Sequence, residues 1–229
     1  MELVLGKSYA EINALLNTGE VSLALVCPKP YVLGHEDFGL KLLVAPVVDG
    51  QLTYYSLLIV PLESSVHSLA DLEGASFAFS DPLSNSGHLA PTYQVALLAK
   101  DAEVFFHHTI FTYSHDNSIR AVADGIVDAA AVNSLIFDYM RALEPETTKR
   151  VRIVERWGPY GMNPIVVSPQ LAADVQAQLR AVFVAMAEDT ESSAILEGLS
   201  IDRFEVPSDS LYDSIREMRA YLRLRSNEP

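Results

Sequence analysis

The chain has 229 residues, 49% hydrophobic and 20% charged, a balance that buries a core rather than staying disordered. Sixteen Lys and Arg against thirty Asp and Glu leave a net charge of −14, which argues against nonspecific nucleic-acid binding and against an anionic membrane surface. The single cysteine, Cys27, excludes an internal disulfide framework and a Cys-rich zinc site.

No run of about 18 apolar residues occurs, so no membrane insertion is expected. The opening Met1-Glu2-Leu3-Val4-Leu5-Gly6-Lys7 lacks a basic stretch followed by a long apolar one, so no signal peptide is expected in this chain. Apolar runs alternate with helical patterns, which predicts an α/β fold. In chain order the pattern gives a helix over 8–17, a strand over 21–27, strands over 41–48 and 54–60, and a strand over 76–79. A helix over 84–100, a strand over 109–113, a helix over 117–124, a strand over 129–132 and a helix over 134–143 follow. Strands over 151–155 and 165–167 and helices over 169–188 and 209–223 complete the chain. Leu171, Val175, Leu179, Val182 and Met186 recur at helical spacing, as do Leu211, Ile215, Met218 and Leu222, and both stripes read as core packing. Val60-Pro61 ends one strand and Asn163-Pro164-Ile165 begins another, and the residue before a proline is pushed toward extended geometry. These two crossings predict a discontinuous lobe of residues 1–60 plus 164–229 and a second lobe of residues 61–163.

The sharpest local signal is Ser80-Asp81-Pro82-Leu83-Ser84-Asn85-Ser86-Gly87-His88, between a strand and a helix. Ser84, Asn85 and Ser86 place three short polar side chains at a helix start, where backbone N–H groups lack partners and the dipole end is positive. Such an end binds anions, and it is equally an ordinary N-cap, for which Ser and Asn are common. Tyr113-Ser114-His115-Asp116-Asn117-Ser118 is a second strand-to-helix turn of the same kind, in which His115 either donates to an anion or is a capped surface histidine. Adjacent parallel strands would set the two turns side by side. A hydrolase triad of Ser84, His115 and an aspartate is disfavoured, because no Gly-x-Ser-x-Gly elbow surrounds Ser84. His107 and His108 would face opposite ways in a strand and make a poor metal pair. No phosphate-cradling glycine motif occurs, and no cofactor is expected. Trp157 reads as lobe core or hinge packing.

Taken together, Asp81-Pro82-Leu83-Ser84-Asn85-Ser86-Gly87, the run from Ser114-His115 to Asp124-Gly125, and Ile201-Asp202-Arg203-Phe204 resemble the phosphate/phosphite/phosphonate-binding proteins of ABC importers. The segments Ser8-Tyr9-Ala10-Glu11 and Tyr31 through Asp37 fit as well. The resemblance implies a type II periplasmic-binding fold of two α/β lobes, a periplasmic or extracytoplasmic location, a membrane permease as partner and no catalysis. It implies that Ser84, Asn85 and Ser86 grip the anion, that His115 is an oxyanion donor, and that Tyr31 and Tyr54 approach from the first lobe. Relatives that bind aminoalkylphosphonates carry a carboxylate near Val132-Asn133-Ser134-Leu135 and a second acid before the Pro-Ile-Val strand. Here Asn133, Leu135 and Asn163 are neutral, so phosphite, phosphate or a simple alkylphosphonate is the expected ligand. The resemblance also implies an opening strand and helix ahead of the segment that Met1 begins, so the first lobe reads as short at its start. The alternatives are a sensing domain of a signalling protein with the same fold, and a hydrolase using His115.

Overall fold

The computed structural model describes residues 2–226. In chain order the elements are α1 (Tyr9–Thr18), β1 (Leu23–Leu25), α2 (Pro28–Phe38), β2 (Lys41–Val47), β3 (Thr53–Pro61), β4 (Ser76–Phe79), α3 (Ala90–Leu97), α4 (Ala102–Phe105), β5 (His108–Phe111), α5 (His115–Ala123) and β6 (Ala129–Asn133). Then come α6 (Ser134–Leu143), α7 (Pro145–Thr148), β7 (Val151–Gly161), β8 (Ile165–Val167), α8 (Ala173–Ala185), α9 (Thr190–Gly198), β9 (Arg203–Glu205) and α10 (Asp213–Ser226). A single π-helical turn, Asn85–Leu89, leads into α3. No helix among the described residues is long and apolar enough to cross a membrane.

Two compact units result, one of residues up to Thr53 with Tyr160–Ile215, the other of Tyr54–Pro159 with the residues from Arg216 on. This differs from the division expected at 60 and 164. Both β3 and β7 are strands of the second unit's sheet, so the chain changes unit at the start of one and near the end of the other. The end of α10 groups with the second unit because Tyr221 packs edge-on against Tyr93 and Arg225 Nη1 donates to the Ala96 carbonyl at 3.0 Å.

The first unit holds a four-stranded sheet, β1-β8-β2-β9, in which every neighbouring pair is antiparallel. Its core joins Leu43, Val44, Ile165, Val167, Leu196 and Phe204, against which Leu171, Leu179, Phe183 and Met186 pack. The stripe on α8 therefore runs through Phe183, and Val182 is 63% exposed. That helix starts later than expected, at Ala173. Helix α2 is absent from the sequence reading because Pro28, Pro30 and Gly34 look like loop residues. Pro28 and Pro30 lie in the first turn, where the missing N–H would have had no intrahelical acceptor, and Gly39 at φ 77° stops the helix. Cys27 precedes α2 instead of ending β1. Helix α9, capped by Asp189 on the Ser192 N–H, and strand β9 are further elements the pattern did not reveal.

The second unit holds a five-stranded sheet in the order β5-β4-β6-β3-β7. β4 pairs parallel to both β5 and β6, whereas β3 runs antiparallel to β6. Leu57, Ile59, Ala130 and Val132 of the sheet meet Ile119 and Val122 of α5 and Phe137 and Met140 of α6 in one buried cluster. Trp157 lies buried in β7 and its Nε1 donates to Glu155 at 2.7 Å.

In the first unit the fully buried Tyr212 donates to the Met162 carbonyl at 3.0 Å and meets the Tyr31 ring edge-on. Burial, with Tyr31 and Asp209 nearby, pushes its phenol well above the usual range, so it always carries the donating proton. Tyr212→Phe leaves that carbonyl without its donor and is expected to cost about 1 kcal/mol. Urea denaturation should show a lower midpoint at unchanged slope.

Candidate functional site

Three consecutive parallel strands deliver three helix starts to one sheet edge. After β4 the chain turns through Ser80–Ser84 into the π turn and α3, after β5 through Thr112–Ser114 into α5, and after β6 directly from Asn133 into α6. Each start has its own cap. Ser84 Oγ accepts from the Gly87 N–H at 3.0 Å, Ser114 Oγ from Asn117 at 3.3 Å, and Asn133 Oδ1 from Leu135 at 2.8 Å. The sequence pointed to two such turns and missed the third.

The turns are tied to one another. The Thr112 N–H donates to Phe79 O at 2.9 Å and the Tyr113 N–H to Ser80 O at 2.6 Å, while Ser80 N–H donates to Gly87 O at 3.2 Å. Ser56 Oγ on β3 donates to the Ser86 carbonyl at 2.7 Å. Asn85 Nδ2 donates to the Tyr54 hydroxyl oxygen at 3.0 Å. Tyr54 therefore belongs with the anion turn of the second unit, which corrects the expectation that it comes from the first lobe. Its place at the start of β3, whose next strand neighbour is β6, puts it there.

His115 is the first residue of α5, two residues earlier than expected, and it is buried. Its Nδ1 accepts from the Asn133 N–H at 3.3 Å, a bond open only to an unprotonated Nδ1, so the ring hydrogen sits on Nε2. Burial lowers the imidazole pKa from 6.5 to about 4 against the opposing pull of Asp116, so the ring is a neutral donor at pH 7. A Cβ added to Gly87 would lie 1.9 Å from Ser80 Oγ and 3.0 Å from His115 Cε1, so only glycine lets these groups meet. Ser80, a site residue the sequence reading left out, and Ser86 are both fully buried. Among the described residues neither hydroxyl has a hydrogen-bond partner within the protein. Such groups cost about 1–3 kcal/mol each unless something meets them.

Of the eight residues picked from sequence, Tyr54, Ser84, Asn85, Ser86, His115 and Asn133 come together in the second unit. The structure divides their work: Ser84 and Asn133 are spent as caps, and Ser86 keeps its hydroxyl free of internal bonds. Tyr31 and Asn163 belong to the first unit. Tyr31 is buried and its hydroxyl donates to Asp209. Asn163 lines a pocket of about 160 Å³ with Tyr9, Leu25, Val26, Cys27 and Pro30.

The pattern of the family described as ABC transporter, phosphonate, periplasmic substrate-binding protein matches residues 1–212. The chain belongs to that family. A phosphonates-binding periplasmic protein of Escherichia coli is 28% identical over 177 residues, which cover 76% of this chain and 52% of that protein, so the chain spans about half of that relative's length. A binding-protein component of an ABC phosphonate transporter from Pseudomonas aeruginosa superposes with a TM-score of 0.89 at 24% identity, over 96% of this chain and 74% of that one. A phosphonate-binding protein from Prochlorococcus marinus in complex with methylphosphonate superposes with a TM-score of 0.84 at 20% identity, over 96% and 84%. The fold is accordingly the type II periplasmic-binding fold of that family.

Two outcomes follow from the geometry. Gly87→Ala forces a methyl onto Ser80 and is expected to cost about 1–3 kcal/mol in urea denaturation, a cost that Ser80→Ala in the same chain should largely relieve. Because the His115 pKa is lower folded than unfolded, its contribution is complete above about pH 6.5 and is lost as the pH falls toward about 4. Between pH 7 and 5 the native protein should lose on the order of 2 kcal/mol more stability than His115→Gln, read from urea midpoints at the two pH values.

Proposed function

We propose that this chain is the substrate-binding component of an ABC importer and that it captures a small phosphorus oxyanion, which it hands unchanged to a membrane permease outside the cytoplasm. The observation that carries the reading is the neutral cradle of the second unit: two enclosed serine hydroxyls without internal partners, a neutral imidazole holding its hydrogen on Nε2, and three helix starts on one edge. Every one of these offers N–H or O–H groups to negative oxygen, and hydrogen bonds to an ionised acceptor are roughly twice as strong as neutral ones. The chain's net charge of −14 does not oppose capture, because distant exposed carboxylates are screened over about 10 Å while the helix ends act at contact. Membership of the phosphonate family and the methylphosphonate in the Prochlorococcus neighbour support the same chemistry.

Within that class, the ligand is phosphite, phosphate or a simple alkylphosphonate. Asn133 is occupied as a helix cap and carries no charge, Leu135 is apolar, and Asn163 is an amide, so none of the three balances a ligand ammonium. Isothermal titration should give one site with methylphosphonate, phosphite or phosphate. 2-Aminoethylphosphonate should bind about ten-fold more weakly than methylphosphonate, ~1.4 kcal/mol for an uncompensated charge. An absence of heat with all of these, in protein whose circular dichroism is that of the folded α/β chain, would sink the reading.

A further inference from the structure

The oxygens of a phosphonate can be met by a cradle of donors, but its carbon substituent cannot. One vertex of the tetrahedron must then leave the cradle toward something apolar. At the rim stands Tyr113, immediately before the cap Ser114, its N–H donating to Ser80 O. It is a bulky residue in left-handed backbone, with φ 59°. That region is costly for a side chain of this size. The ring is 59% exposed, so burial does not offset the cost. Phe111, 37% exposed, lies beside it with ring centroids 6.3 Å apart, and its other flank meets His88 of the π turn at 5.5 Å. Two partly uncovered aromatic rings thus border the same turn that holds Ser86 and Gly87.

We propose that Tyr113 and Phe111 form the seat for the hydrocarbon substituent of a phosphonate whose oxygens lie in the cradle, so that the protein prefers alkylphosphonates to phosphite and phosphate. The inference rests on the oxyanion reading above and names the substrate class within it. Phosphite and phosphate present hydrogen or oxygen at the fourth vertex and gain nothing from the rings. A short alkyl chain gains roughly four-fold in affinity for each methylene removed from water.

The test is a titration of propylphosphonate and phosphite at a pH where both are dianions, in the native chain, Tyr113→Phe, Tyr113→Gly and Phe111→Ser. The native protein and Tyr113→Phe should favour propylphosphonate by about ten-fold or more. Tyr113→Gly suits the left-handed backbone and should fold, but the affinity ratio should fall to within about three-fold of unity, and Phe111→Ser should lower it in the same direction. If both ions bind and the ratio is near unity in the native chain, or is the same in native protein and Tyr113→Gly, the seat is refuted and the oxyanion reading stands. If neither ion binds the native protein, the oxyanion reading itself falls and the seat falls with it.

Discussion

Gly87 presents a bare Cα where a methyl would overlap the Ser80 hydroxyl and press on the His115 ring. The rest of the site hangs on that close approach. It lets the turn after β4 lie against the first residue of α5, and His115 in turn receives the N–H at the end of β6. Parallel pairing of β5, β4 and β6 brings the three turns to one edge, and the missing side chain lets them touch. The architecture that organises ligand sites at the carboxyl ends of parallel strands is thereby reduced here to a contact between a serine, a glycine and a histidine.

The electrostatic character of the cradle follows from the same packing. Enclosure removes the option of a charged imidazole, and the bond from Asn133 decides which ring nitrogen keeps the hydrogen. The result is a cluster of oriented neutral dipoles in an acidic chain, without a nearby lysine or arginine bonded into it among the contacts described. Fixed dipoles at short range can hold a multivalent anion reversibly, a property that suits capture followed by release.

Much of this was legible from residues alone, for identifiable reasons. Ser84-Asn85-Ser86 and Ser114-His115 advertise themselves because short polar side chains cluster between an apolar strand and an apolar helical repeat. The family resemblance arises from the same segments. What escaped the sequence has equally physical causes. Helix α2 is hidden by prolines that are harmless only in a first turn. Ser80 looks like the last residue of a strand, and its role depends on a glycine seven positions on. The reading assigned Tyr54 to the wrong lobe because a strand that pairs far from its sequence neighbours gives no local sign of its partner sheet. On α8, Val182 and Phe183 are adjacent and both apolar, so periodicity could not tell which faces inward.

The hydroxyls of Ser80 and Ser86 also say something about durability. Each occupies a dry interior position where an alanine would fit and would remove an uncompensated polar atom. A chain shaped for robustness alone would carry alanine at both. Serine at these positions makes the ligand-free protein softer than its packing allows, and ties its resistance to heat and proteolysis to how much of its cargo is around.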